Sequence, residues 1–351
     1  MMRVVFRVDA SQYIGSGHVM RCLVLAEQLQ AAKWNVKFAC LPQPGDLISL
    51  IEQKGFSVIS LSPPKQIGKP RFDGDYSAWL QRSEQEDVED FVKKVSPVEW
   101  IIVDHYGIGH LWEQQAKAKL NCYILSIDDL DRKHESDVIL DQNLWPDLHQ
   151  RYSKCRAQKL LSPTFALLRP RFRELKNNPP PKVNQVIAFF GGADLTHECR
   201  KLLIAANQIS KLPFKLKVVT GRQNSDYEEL LGYQKSGCIE VIQFLDDFEL
   251  ELASSEYAIG ASGVSNWERF CLNIPSTIVS VAENQRALSN HLSEQKYVFL
   301  LGDGASTTSE IYREELMRLS MHWNEVPAQM IPLYVDGLGA KRVMTAMELI
   351  K

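Results

Sequence analysis

The chain has 351 residues, of which 45% are apolar and 24% are charged, and its formal net charge is −3. These values exclude a disordered, collagen-like or low-complexity chain. The chain has no excess of positive charge that would attract nucleic acid or an anionic membrane, so neither is expected as a partner. At about 150 residues per domain, the length predicts two domains.

The first ten residues are apolar but are interrupted by Arg3, Arg7 and Asp9, which is not typical of a secretory signal. Because no run of about 18 apolar residues occurs, we expect no membrane span. The seven cysteines are odd in number and widely spaced, which matches neither a disulfide framework nor a zinc site. We therefore expect a cytoplasmic protein with reduced thiols.

In the first half of the chain, short apolar runs alternate with amphipathic stretches. Strands are predicted at residues 3–8, 36–41, 57–61, 100–104, 122–127 and 138–140. Helices are predicted at 18–33, 76–95 and 110–120. This alternation predicts a parallel sheet with helices on both faces.

Three consecutive prolines at 179–181 cannot continue a helix or a central strand. After them the alternation restarts. Strands are predicted at 185–190, 214–220, 238–242, 257–260, 276–280 and 297–301. Helices are predicted at 196–209, 226–234, 246–254, 265–272 and 284–295, with helical segments beyond. The sequence thus predicts α/β domains at 1–175 and 185–335, a linker at 176–184, and ligands in a cleft at the carboxyl ends of the strands.

A glycine turn, Gly15-Ser-Gly17-His18, joins the first predicted strand to the first helix. It is not a dinucleotide fingerprint, because Met20 stands where a third glycine is needed, and it lacks the Lys-Ser/Thr of a P-loop. His18 falls in the first helical turn, where the dipole disfavours the imidazolium form. It is a candidate general base, with a packing or capping histidine as the alternative.

Polar residues also follow two other strands of the first half. Asp104 and Tyr106 end a buried strand and either face the cleft or serve as a cap and a half-buried ring. The acidic run 128–131, with His134, has a spacing that can ligate a divalent cation. An Asp-rich turn is the favoured interpretation, and no metal site is expected.

Glycines and amides follow strands of the second half. Gly191 and Gly192 would let a phosphate approach the backbone, or they form a plain turn whose helix Thr196 caps. Asn284 and Gln285 open a later helix, where their amides either face the cleft or cap the helix.

The strongest local signal is the small-residue turn at Ser262 and Gly263, because such a turn before a helix is a ready anion site. It is not a nucleophile elbow, since Val264 replaces the last glycine of that motif. Ser265 and Glu268 have the spacing of a capping box. The functional alternative is that the Glu268 carboxylate accepts both hydroxyls of a ribose.

Together, these motifs resemble one family over nearly the whole chain, the PseG-type UDP-sugar hydrolases of pseudaminic acid biosynthesis. The motifs are Arg7-x-Asp9, Ile14-Gly-x-Gly-His18-x-x-Arg21, Val103-Asp104-x-Tyr106, Ile127-Asp128-Asp129, Phe165-x-x-x-Arg169-Pro170, Gly191-Gly192-x-Asp194, Trp267-Glu268-Arg269, Asn284-Gln285 and Val335-Asp336-Gly337-Leu338-Gly339. The resemblance implies a GT-B architecture of two Rossmann-like domains, with residues 336–351 forming a helix that crosses back to the first domain.

The resemblance also implies the reaction and the roles of residues. The substrate would be UDP-2,4-diacetamido-2,4,6-trideoxy-β-L-altropyranose, the products UDP and a free sugar destined for a sialic-acid-like sugar of cell-surface glycans and flagellin. No cofactor is implied. His18, Tyr106 and Asn284 would be catalytic. Substrate or UDP would contact Gly15, Gly17, Arg21, Asp104, Gly191, Gly192, Ser262, Gly263, Ser265, Glu268 and Gln285. One departure is Ala261-Ser262-Gly263, which stands where members often carry a Gly-Gly-Ser turn.

The chemistry agrees with these residues. A nucleoside diphosphate is a weakly basic leaving group that needs charge stabilisation rather than a general acid, so a single base, His18, suffices to activate water for an inverting attack. Two alternatives remain: a MurG-like UDP-sugar glycosyltransferase, which would differ in its acceptor, and a nucleotide-sugar binding module without catalysis, which would not need a base. The sequence makes no prediction of oligomeric state.

Overall fold

The structure is a computed structural model that describes residues 1–72, 74–325 and 334–350. The chain divides into two compact units, Met1–Leu168 with Leu338–Lys351, and Arg169–Gly337. Each unit contains one fully parallel sheet covered by helices, as the sequence predicts. Among the described residues, no helix combines the length and hydropathy needed to cross a bilayer.

The first unit has seven parallel strands in the order β3-β2-β1-β4-β5-β6-β7. The strands are β1 (Arg3–Val8), β2 (Asn35–Cys40), β3 (Ser57–Ser60), β4 (Trp100–Asp104), β5 (Tyr123–Ile127), β6 (Val138–Asp141) and β7 (Gln158–Leu161). The α-helices are α1 (Gly17–Ala31), α2 (Ile48–Gln53), α3 (Glu84–Lys94) and α4 (His110–Leu120). Short 3-10 helices span Tyr76–Leu80 and Pro163–Phe165. The central strands β1 and β4 are buried almost throughout, because helices cover both faces of the sheet.

The second unit has six parallel strands in the order β10-β9-β8-β11-β12-β13. The strands are β8 (Val183–Phe189), β9 (Lys215–Thr220), β10 (Ile239–Gln243), β11 (Ser255–Ala261), β12 (Ser276–Ser280) and β13 (Phe299–Asp303). The helices are α5 (Pro170–Asn177), α6 (Glu198–Asn207), α7 (Tyr227–Leu230), α8 (Phe248–Ser254), α9 (Val264–Cys271), α10 (Glu283–Glu294) and α11 (Ser309–Met321), with a 3-10 turn at Leu231–Tyr233.

The division between the units differs from the predicted linker at 176–184. It falls between Leu168 and Arg169, because helix α5 starts at once with Pro170 in its first turn and packs on α8 and α9. The prolines at 179–181 end α5 inside the second unit rather than forming a hinge. Lys182 then donates to the carbonyls of Ala253 and Ser255, which ties this segment to the second sheet.

The last helix, α12 (Gly339–Leu349), is grouped with the first unit. Its Val343 and Met347 are completely buried in the same core cluster as Leu25 and Leu29 of α1. Gly339 is required at its start, because a Cβ at that position would lie 2.1 Å from the carbonyl oxygen of Ala166. Burial of these apolar side chains is therefore what carries the chain back to the first sheet.

The predicted helix 76–95 is interrupted. Residues Tyr76–Leu80 form a 3-10 helix, Gln81 takes a left-handed φ of 58°, and α3 starts only after Ser83. The side chains and backbones of Ser83 and Glu86 make a reciprocal capping box. This capping box provides hydrogen-bond partners for N–H groups at the start of α3. It therefore stabilises a new helix start at this position and favours the break in the predicted helix.

Candidate active site

The candidate residues of the first unit lie at the point where the strand order of its sheet reverses. Strands β1 and β4 are neighbours, and the chain proceeds from β1 to β2 on one side and from β4 to β5 on the other. The loops that leave β1 and β4 therefore diverge, and such switch points are where open α/β sheets bind ligands. Gly15, at φ 75°, forms the tight turn after β1, and Gly17 starts α1. His18 is the second residue of this helix, and Asp104 is the last residue of β4.

His18, Arg21 and Asp104 form a buried charged cluster at this switch point. His18 Nδ1 lies 2.6 Å from Asp104 Oδ1. Arg21 donates from Nε to Oδ2 and from Nη2 to Oδ1 of the same carboxylate, both at 2.6 Å. Both oxygens of Asp104 are thus occupied and its side chain is fully buried. Asp104 contacts His18 directly and Arg21 holds the same carboxylate, while the predicted contact of both residues with substrate stays a prediction.

The Asp104 carboxylate places a negative charge beside His18 Nδ1. Burial alone would raise the pKa of Asp104, but the Arg21 guanidinium and His18 hold it well below its ordinary value. The carboxylate therefore stays ionised, and it favours the tautomer of His18 with its proton on Nδ1. Nε2 then carries the lone pair that can take a proton, as in a carboxylate–histidine pair of a hydrolase.

Tyr106, predicted to be catalytic, lies directly beside His18. The two rings meet edge-to-face with centroids 4.7 Å apart. Its hydroxyl donates to Asp129 Oδ1 at 2.6 Å. Burial, followed by the nearby Asp129 carboxylate, raises the pKa of Tyr106 well above its ordinary value. Tyr106 is therefore a neutral phenol that limits the rotation of the imidazole ring.

Two further aromatic side chains of this site were not predicted. Tyr76 and Trp79 belong to the 3-10 helix, and both are half-buried. Trp79 stacks on Tyr106 with centroids 5.5 Å apart and reaches the edge of His18 at 5.9 Å. Sequence reasoning missed them because it assigned their segment to an uninterrupted helix. The S-x-x-E capping signal at Ser83 could have revealed the break.

The carboxylates of the acidic run after β5 bind other groups of the same chain. Asp128 accepts from Arg132 Nε at 2.6 Å, and Asp131 accepts from a backbone N–H. The carboxylates of Asp128 and Glu113 also enclose His134. Within residues 1–72, 74–325 and 334–350, no group of three or more His, Cys, Asp or Glu is placed to hold a metal ion. The run is an ion-paired turn in this fold.

The second sheet has its own switch point, between β8 and β11. Gly191 follows β8 with φ 97°, a conformation that side chains rarely adopt. Gly192 is so close to the loop after β9 that a Cβ on Gly221 would lie 2.1 Å from its carbonyl oxygen. Asp194, rather than the predicted Thr196, satisfies the start of α6 by accepting from two backbone N–H groups. These glycines bring bare backbone to the carboxyl edge of the sheet.

The turn before α9 consists of small residues that neighbouring side chains hold by hydrogen bonds. Gly263 has φ 104° and is the residue that caps α9. The Ser262 hydroxyl accepts from Asn266 Nδ2 at 3.0 Å and lies 2.8 Å from the Ser289 hydroxyl. Gln285 approaches Gly263 with its Nε2, while its Oε1 accepts from a backbone N–H. Helices α9 and α10 thus begin after the neighbouring strands β11 and β12. Asn284 lies in the first turn of α10.

Glu268 does not make the capping box that its spacing with Ser265 suggested. Helix α9 begins at Val264, so Ser265 is already inside the helix and Gly263 takes the capping position. The Glu268 carboxylate lies 3.6 Å from Arg169, which also pairs with Glu249 at 2.9 Å. Burial raises the pKa of Glu268, although Arg169 opposes the shift. The Glu268 carboxylate is thus partly exposed, lies beside Arg169 and hydrogen-bonds the Ser265 side chain, and its contact with a ribose stays a prediction.

The structure assembles the predicted site residues in two groups, one in each unit. The first group is Gly15, Gly17, His18, Arg21, Asp104 and Tyr106. The second group follows β8, β11 and β12 and comprises Gly191, Gly192, Ser262, Gly263, Ser265, Glu268, Asn284 and Gln285.

The fold is that of the GT-B class, with two Rossmann-like domains. The chain superposes on the crystal structure of MurG from Acinetobacter baumannii with a TM-score of 0.65 and 14% identity, over 99% of each chain. At this identity the likeness defines the fold and leaves the chemistry to the site residues. No family model matches the sequence.

Similarity in sequence extends over most of the chain. It is 28% identical over 308 residues to the UDP-2,4-diacetamido-2,4,6-trideoxy-β-L-altropyranose hydrolase of Campylobacter jejuni, covering 84% of this chain and 98% of that protein. It is 24% identical over 270 residues to the spore coat polysaccharide biosynthesis protein SpsG of Bacillus subtilis, covering 73% and 78%. The resemblance to PseG-type hydrolases drawn from the motifs is thereby confirmed.

Proposed function

We propose that this protein is a PseG-type hydrolase that cleaves UDP-2,4-diacetamido-2,4,6-trideoxy-β-L-altropyranose to UDP and the free sugar. The similarity to the Campylobacter jejuni hydrolase supports the substrate class. The observation that carries the chemistry is the orientation of His18 by Asp104, because a nucleotide-binding module has no need of an imidazole with one nitrogen fixed and the other directed away from its partner.

In the proposed reaction, His18 Nε2 removes a proton from a water molecule while the water oxygen bonds to the anomeric carbon. The C1–O bond breaks at the same time, and its electron pair leaves with UDP. The configuration at C1 is inverted. Asp104 stays ionised and stabilises the imidazolium as it forms, which is the role of the carboxylate in hydrolase triads.

The second unit would bind the nucleotide. The diphosphate would lie at the N-termini of α9 and α10, where the backbone N–H groups and the helix dipoles would stabilise the charge that develops on the leaving oxygen. Asn284 and Gln285 would add side-chain amides, and Glu268 would accept the ribose hydroxyls. Because the leaving group is weakly basic, this scheme requires neither a general acid nor a metal ion.

Incubation of the purified protein with the UDP-sugar in the absence of any acceptor tests the function. Release of UDP and free sugar in equal amounts is expected, and NMR at early times should show the inverted anomer of the sugar. A glycosyltransferase would release UDP only when an acceptor is added. A binding module would release neither product.

Reaction in ¹⁸O-labelled water tests which bond breaks. Attack at the anomeric carbon places the label on C1 of the sugar and leaves UDP unlabelled. Attack at the β-phosphorus usually requires a metal to neutralise the phosphate oxygens, and it would place the label in UDP. Mass spectrometry of both products distinguishes the two, and label in UDP would exclude the role given to His18.

A further inference from the structure

An aromatic wall borders His18 on the first unit. It consists of Tyr76, Trp79 and Tyr106, whose rings contact one another with centroid separations of 4.8 to 5.5 Å. Tyr106 is buried beneath the other two, whereas Tyr76 and Trp79 are only half-buried. Tyr106 has a structural explanation, because it packs on His18 and binds Asp129. Of the two outer, half-buried rings, Trp79 contacts the proposed base and Tyr76 packs against Trp79.

The short helix that carries the outer rings is fastened to its surroundings. Asp75, which precedes it, accepts from Arg71 Nε at 2.9 Å and from the Ser77 hydroxyl at 2.9 Å. The Trp79 carbonyl accepts from Gln43 Nε2 at 3.3 Å. The wall is therefore held in position before a ligand arrives, which lowers the entropy lost on binding.

The position of the wall determines which part of a substrate it meets. The centroid of the Trp79 ring is 5.9 Å from that of His18. This separation is comparable to the width of a sugar ring, so a sugar whose anomeric carbon is one water molecule away from His18 would have ring substituents within reach of Trp79. Aromatic faces attract C–H and methyl groups, but they do not satisfy a hydroxyl that is removed from water.

We propose that Trp79, supported by Tyr76, determines sugar specificity, selecting a deoxygenated, N-acetylated sugar over its hydroxylated counterpart by packing against its methyl groups. This inference rests on the proposed function and identifies the part of that site which recognises the sugar. The substrate named above carries three such methyl groups, one on the deoxygenated C6 and two on the acetamido substituents.

The test compares the 6-deoxy UDP-sugar with an analogue that carries a hydroxyl at C6. Trp79→Ala should lower kcat/KM for the 6-deoxy sugar by about 10- to 100-fold, mainly through KM, and should change that for the hydroxylated analogue by less than about threefold. Trp79→Phe should retain most of the preference. Phe72→Ala is the matched control, because it removes an exposed aromatic ring from the same segment and should leave both rates unchanged.

A binding measurement separates this inference from the proposed reaction. In the His18→Asn background, calorimetry should show tighter binding of the 6-deoxy sugar than of the analogue, loss of this preference in Trp79→Ala, and unchanged affinity for UDP alone. Equal affinities for the two sugars, or an equal fall for both in Trp79→Ala, would overturn the inference even if the wild-type enzyme is active. An inactive wild-type protein that keeps the binding preference would overturn the proposed hydrolysis instead.

Discussion

The candidate sites of the two units are built by different physical means. In the first unit, a buried guanidinium and a buried carboxylate hold the imidazole of His18 in one orientation. In the second unit, the turn at Ser262 and Gly263 contains only small residues, and it is held by hydrogen bonds from Asn266 and Ser289 rather than by an ion pair of its own. Both lie at the switch point of a parallel sheet, so the fold supplies the position and the residues supply the chemistry.

The difference reflects the separate requirements of a general base and of a phosphate-binding site. A base must keep one tautomer and one orientation, which requires charged partners that are shielded from water. An anion cradle needs only exposed backbone N–H groups and room for a phosphate, which glycine and serine provide. The first unit is therefore expected to be sensitive to changes of charge, and the second to changes of its ligand contacts.

The largest effect is expected at His18. Because His18 is proposed as the proton acceptor, His18→Asn should lower kcat by at least about 10²-fold, while the affinity for UDP should hardly change. Steady-state kinetics and calorimetry measure the two quantities. His322→Asn, at an exposed histidine of the second unit, is the control and should behave like the wild type. Near-normal turnover in His18→Asn would remove His18 from the mechanism.

Removal of a buried charge tests how the first unit is stabilised. Arg7 is fully buried and binds Asp9 and Asp87 at 2.7 and 2.8 Å. Arg7→Met leaves both carboxylates without this partner and should lower the free energy of unfolding by about 3–5 kcal/mol. Arg3→Met breaks a half-exposed pair with Glu99 and should cost far less. Equal losses in urea denaturation would contradict the distinction.

Two buried histidines of the first unit should limit its stability on opposite sides of pH 6.5. Burial lowers the pKa of His105 to about 4, so the free energy of unfolding should fall as pH decreases from about 6.5 towards 4. Burial would also lower the pKa of His134, but the carboxylates of Asp128 and Glu113 raise it to about 9. The stability that His134 contributes is complete below about pH 6.5 and is lost as pH rises through 9.

Melting temperatures between pH 4 and 10 measure these two effects. Relative to the wild type, His105→Gln should flatten the acidic side of the profile and His134→Gln the alkaline side. If either variant shifts the whole curve without changing its shape, the titration of that histidine does not control stability.

In the second unit, Glu268→Gln should weaken UDP binding by about 1–3 kcal/mol, because a charge-assisted hydrogen bond to the ribose is lost. The melting temperature should hardly change, since Glu268 does not cap α9. Glu310→Gln, on the surface of the same unit, is the control. A fall in melting temperature with unchanged affinity for UDP would assign Glu268 a structural role.

The smallest effect is expected from chelation. If helix N-termini stabilise the leaving diphosphate, EDTA should leave the rate unchanged, and added Mg²⁺ or Mn²⁺ should not raise it. Loss of activity in EDTA and its restoration by either cation would contradict this prediction and would require a metal ion bound with the substrate.

Periodicity and glycine turns were enough to predict most of the architecture. Every predicted strand is present, and β7 is the one strand of the described residues that was not predicted. β7 is a short edge strand whose Gln158 and Lys159 are exposed, so it lacks the apolar signal of the others. The boundary between the units was misplaced because the prolines at 179–181 end a helix that packs within the second unit.

The sequence by itself determined the order of elements and the candidate base, because hydrophobic period and local turn chemistry are properties of neighbouring residues. Only the tertiary structure decided that Asp104 orients His18 across 86 residues of chain and that Trp79 lies against the same ring. It also decided that Glu268 lies beside Arg169 and that Gly263, rather than Ser265, takes the capping position of α9. These contacts depend on which strands become neighbours and where one helix is interrupted, and both are settled by burial of the whole core.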